Sequence, residues 1–124
     1  MPATLRLVDS ITELDASDVG CIAVSGSHGG ISSARYALAA RPALSVFNDA
    51  GVGKDAAGIA ALDFLQTHEL AACAVAHSSA CIGQATSTLQ DGLVSHANAL
   101  AQTLGFVPGR TCLAAVNALV HDAS

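Results

Sequence analysis

Cys21-Ile22-Ala23-Val24-Ser25-Gly26-Ser27-His28-Gly29-Gly30 is an apolar run that breaks into small, polar and glycine residues. Its apolar part has the length and character of a strand buried on both faces, and the break leads into a helical stretch from Ile31. The pattern recurs twice. Leu44-Ser45-Val46-Phe47 opens into Asn48-Asp49-Ala50-Gly51-Val52-Gly53-Lys54-Asp55, and Ala71 to Ala76 opens into His77-Ser78-Ser79-Ala80-Cys81-Ile82-Gly83.

Strand, loop and helix in alternation specify βαβ units. The expected fold is α/β: a compact three-layer, Rossmann-like sandwich with a mainly parallel sheet of three or four strands. In such a sheet the loops after Val24, Phe47 and Ala76 share the C-terminal edge, where α/β proteins bind ligands. That likeness of architecture carries no chemistry of its own.

Around this frame, Leu5-Arg6-Leu7-Val8 reads as a short strand and Asp9 to Gly20 as a turn or short helix. A first helix is expected over 31–40, because Pro42 disfavours helix at Arg41. A second would take Asp55 as N-cap, carry Ile59, Leu62 and Leu65 on one face, and end near His68. The polar stretch from Ser78 to Gly92 then precedes an expected helix with Leu93, Ala97, Leu100 and Leu104 on one face, closed by Gly105 at C′. A last amphipathic helix covers about 111–120.

With 124 residues the chain fits one domain, 1–124. Charged residues make up 12%, about half the usual share, so a homo-oligomer is expected. A net charge of −5 with scattered cations excludes nucleic acid as a partner. No apolar run approaches the ~18 residues of a spanning helix, which points away from a membrane and to a cytoplasmic protein. Cys21 and Cys73 fall in expected strands and Cys112 in an expected helix, without a Cys-x-x-Cys pair, so buried thiols are expected rather than disulfides or zinc.

His28 and His77 each follow a strand, and adjacent strands would bring both rings near Asp49. Imidazole and carboxylate within hydrogen-bond reach move protons near neutral pH, which makes this trio the leading acid/base set. The same residues could hold a divalent metal, but no tight ligand motif supports one, and no cofactor is expected. Lys54, the only lysine, stands at an expected helix start where it could hold an anion or act as an amine nucleophile. Cys81, four residues after His77, is the leading candidate for a covalent nucleophile.

Ligand contacts are expected from Ser25, Gly26, Ser27, Gly29 and Gly30, from Asn48, Gly51 and Gly53, and from Ser78 and Ser79. Glycines there admit close approach of backbone to a ligand. Gly51-Val52-Gly53-Lys54-Asp55 departs from a phosphate loop, because Asp55 stands where that loop has Ser or Thr for magnesium. His96, on an expected helix stripe, reads as a core or interface residue. These features point to a small enzyme acting on a polar anionic metabolite, a hydrolase or lyase with His/Asp acid–base chemistry. The alternative is a non-catalytic nucleotide- or anion-binding subunit of a larger complex.

Overall fold

Five strands form one sheet in the order β1-β2-β3-β4-β5: Leu5–Val8, Ile22–His28, Leu44–Asn48, Ala71–Val75 and Val94–Ala97. The computed structural model describes residues 4–123. Strands β1 to β4 run parallel and β5 pairs antiparallel with β4. The α/β sandwich expected from the sequence is present, with five strands rather than three or four.

Alternation along the central strands divides the interior into two cores. Ala23, Phe47, Ala72 and Ala74 point to one face, covered by α1 (Ile31–Ala40) and α2 (Ala60–Thr67). Ile22, Val24, Leu44, Val46, Cys73 and Val75 point to the other, covered by α3 (Ala85–Asp91), α4 (Ala99–Thr103) and α5 (Cys112–Ala123). Phe47 and Phe106, one in each core, are fully buried and are the largest side chains so placed.

This division positions the site. After β3 the chain turns to α2 on one face, whereas after β4 it turns to α3 on the other. The two loops therefore part over the sheet edge, which is how a ligand crevice arises in open α/β sheets. Asp49 begins the first of these loops, and His77 lies in the second.

Helix α1 matches the expected 31–40, ended by Arg41 in the left-handed conformation. Three expectations are corrected. Strand β2 continues through Ser25, Gly26 and Ser27 to His28, with a register shift against β3 between Val24 and His28, so these residues belong to the sheet and not to a loop. Asp55 is no N-cap: Asp55 and Ala56 lie at φ 54° and 58° inside a 3₁₀ segment, Lys54–Ile59, and α2 begins only at Ala60. The expected helix from Leu93 is a strand followed by the short helix α4.

The physical reason for the last is Asn98. Its Oδ1 accepts from the amides of Ala101 and Ala72, and its Nδ2 donates to the carbonyls of Leu62 and Leu70. As an N-cap it lets helix start only at Ala99, and its bonds leave residues 94–97 to complete the free edge of β4. Gly105, with φ 95°, follows this helix as expected. The polar stretch 78–92 also holds a helix, α3, for which the sequence shows no sustained helical apolar spacing.

Candidate active site

Asp49 is the hub. It is 4% exposed, and its carboxylate receives four donors. Oδ1 accepts from the Gly51 amide at 2.8 Å, the His77 amide at 3.0 Å and the His77 ring Nδ1 at 3.3 Å. Oδ2 accepts from the Ser95 hydroxyl at 2.7 Å and faces Nδ1 of His96 at 4.0 Å. Burial pushes the Asp49 carboxyl up, but the Ser95 hydroxyl, the Gly51 and His77 amides and the His77 ring outweigh it and hold the group below its ordinary value. Asp49 is therefore an anion at neutral pH.

Local chain shape delivers these donors. Ala50, Val52, Asp55 and Ala56 have positive φ, as do Gly51 and Gly53, so the loop winds tightly over the end of β3. A left-handed conformation is costly for a β-branched residue such as Val52 and persists only where neighbours enforce it. Here the Ala50 amide is tied to Asn48 Oδ1, the Val52 amide to the Asp49 carbonyl and the Gly58 amide to the Val52 carbonyl. Gly58 has no room for a side chain, since a Cβ would stand 2.1 Å from the Asp49 carbonyl oxygen.

Two clefts flank the hub. The first, of about 530 Å³, is lined by Asn48, Ala50, His77 to Ile82, Ser87 and Asp91. The second, of about 460 Å³, lies between the 3₁₀ segment, α2 and β5, and its polar lining includes Asp55, Asp63, Ser95 and His96. The His77 side chain is 62% exposed and that of His96 40%, so each ring has one edge tied inward and one open to solvent.

Of the expected trio, the fold joins Asp49 to His77 and leaves His28 apart. His28 ends β2 with its ring beside Gly30, where a Cβ would lie 2.8 Å from its Nε2, and it lines neither cleft. Among the described residues no group of three or more His, Cys, Asp or Glu is arranged to hold a metal ion. Lys54 lines neither cleft and makes no ion pair with a described residue.

Most of the other expected contacts brace the frame. Ser25 is buried and donates to the Val46 carbonyl at 2.7 Å, and Ser27 accepts from the Ile11 amide at 2.9 Å. At Gly26 a Cβ would meet the backbone of residues 83 and 84, and at Gly29 the Gly58 carbonyl. Asn48 is fully buried and spends its side chain on Ala80 and Ala50. Ser79 holds the Ala76 carbonyl and the Leu93 amide, while Gly51 lies against the His77 ring. A Cβ at Gly53 would meet open space. Ser78 and the exposed Cys81 remain beside His77 in the first cleft.

Ser95 and His96 were missed in the sequence. Helical spacing over 93–104 puts His96 on an apolar stripe; the one sequence feature able to mark a break before Ala99 is Asn98, a residue type that favours the N-cap. Comparison with family models, with curated proteins and with solved structures finds no match. What the fold and site define is an α/β sandwich with a carboxylate–imidazole cluster at the C-terminal edge of its sheet.

Proposed function

We propose that this protein is a small acid–base enzyme, a hydrolase or lyase, acting on a polar metabolite in the cleft of His77. The observation that carries this reading is the Asp49–His77 pair: a buried anionic carboxylate holds Nδ1 of a ring whose body is open to a cleft. A carboxylate acts only as acceptor, so it fixes the proton on Nδ1 and leaves the Nε2 lone pair free. Such a ring takes a proton from substrate or water, and Asp49 stabilises the imidazolium that forms.

The cleft's chemistry narrows the substrate. Among the described residues its lining has no Lys or Arg and includes Asp91, which favours neutral hydroxyl groups over a polyphosphate. Ser78, whose hydroxyl has no partner among the described residues, is the side chain to meet them. Cys81 is a nucleophile within the same cleft, and a hydrolase could use it. Four free cysteines support a cytoplasmic setting. Exposed Leu5 and Leu7 on the edge strand β1 support a homo-oligomer.

The test is turnover of a panel of small esters, amides and hydroxy acids by wild type, His77→Asn and Asp49→Asn, with folding checked by circular dichroism. Loss of activity in both variants supports the reading. Undiminished activity in a folded His77→Asn protein overturns it.

A further inference from the structure

We propose that His96 is a second proton-transfer group of this site and that Ser95 is its positioning residue; the proposal rests on the acid–base reading above. Ser95 Oγ lies 2.7 Å from Asp49 Oδ2 and 3.4 Å from the Ala74 carbonyl, so its single proton goes to the nearer, charged acceptor. The Ser95 oxygen is then left as an acceptor for Nδ1 of His96, 3.1 Å away. His96 therefore carries its proton on Nδ1, and its bare Nε2 serves the second cleft.

The arrangement mirrors that of His77. One ring is held directly by Oδ1 and the other through a hydroxyl by Oδ2, and they line different clefts on either side of one carboxylate. Each ring, held through Nδ1, presents a bare Nε2 as a base to its own cleft. His77 faces Asp49 and shares its cleft with Asp91 and Cys81, whereas His96 faces Asp49 and shares its cleft with Asp55 and Asp63. The bare Nε2 of His96 takes a proton from a hydroxyl or water in the second cleft, as that of His77 does in the first. The imidazolium that forms keeps its Nδ1–H on Ser95, whose own proton stays on Asp49, and loss of the Nε2 proton to solvent resets the ring.

The experiment is ¹⁵N NMR of histidine-labelled full-length protein above the imidazole titration range, for wild type, Ser95→Ala and Ser95→Thr. The expected wild-type signature of His96 is Nδ1 protonated and Nε2 bare. Ser95→Ala should shift it toward the Nε2–H form that free imidazole side chains prefer, Ser95→Thr should restore it, and His77 should keep its own signature throughout. A His96 tautomer that is Nε2–H in wild type, or unchanged in Ser95→Ala, overturns the proposal whatever the activity.

The kinetic arm uses a substrate from the panel above. His96→Asn is expected to lower kcat about 10²-fold with little change in KM. If His77→Asn is inactive while a folded His96→Asn keeps full kcat, this proposal fails and the His77 reading stands. If wild type turns over nothing, both fail.

Discussion

Replacing Asp49 by Asn keeps the shape of the side chain and removes its charge, so the response separates charge from packing. Of the four donors, three converge on Oδ1, two of them backbone amides that cannot turn away, and one hydroxyl meets Oδ2. The Asn carbonyl must therefore take the Oδ1 position and its NH2 the Oδ2 position. Ser95 accommodates this by rotating its proton elsewhere. A hydrogen bond to a charged acceptor is worth about 1 kcal/mol more than a neutral one. Two well-formed amide bonds and the inverted Ser95 bond give a loss of about 2–3 kcal/mol at neutral pH. The His77 ring bond is solvent-exposed and adds little.

The pH dependence has a definite sign. The folded value of Asp49 is depressed, so its contribution is complete above the unfolded carboxyl value near ~3.9 and is lost as pH falls through the lower folded value. Urea unfolding of wild type and Asp49→Asn should show the full gap at neutral pH and a closing gap below about pH 4. A variant as stable as wild type at neutral pH, or a gap that stays constant into acid, would refute the electrostatic account of Asp49.

Three further outcomes are expected. Gly58→Ala should cost about 3 kcal/mol or more, read by thermal unfolding, because the new Cβ would stand 2.1 Å from the Asp49 carbonyl oxygen and 3.0 Å from that of Val52, both backbone; a shift within about 0.5 kcal/mol would contradict the tight closure of the 50–58 loop. Asn98→Ala strips bonds from four backbone groups that link β4, α2 and α4, and should lower stability by about 3 kcal/mol in urea titration. In the native protein a thiol reagent should modify Cys81 fast and the other three only on unfolding. Burial pushes Cys73 well up and Cys112 up to about 12, and burial with nearby Asp18 raises Cys21.

The parallel core of the fold was legible because buried strands write themselves as short apolar runs ended by glycine and polar residues, as at Ile22, Leu44 and Ala71. The edge strand β5 was not. Leu93, Ala97, Leu100 and Leu104 sit at helical spacing, yet the free edge of β4 and the four bonds of Asn98 decide the conformation, and both are tertiary facts. The same limit hid half of the site. Asp49 and His77 could be read as neighbours from strand ends alone, whereas Ser95 and His96 reach Asp49 only once β5 is a strand. Gly26 and Gly29 show the reverse: a glycine needed for close approach of the chain to itself looks, in sequence, like one needed for a ligand.

The central claim, that Asp49 and His77 form a proton-transfer site, is tested most directly by incubating the protein with a defined mixture of small hydroxylated and carboxylated metabolites and following the mixture by mass spectrometry. The account predicts at least one compound consumed by wild type and spared by a folded His77→Asn variant. A mixture left unchanged by wild type, or consumed equally by both proteins, would contradict it.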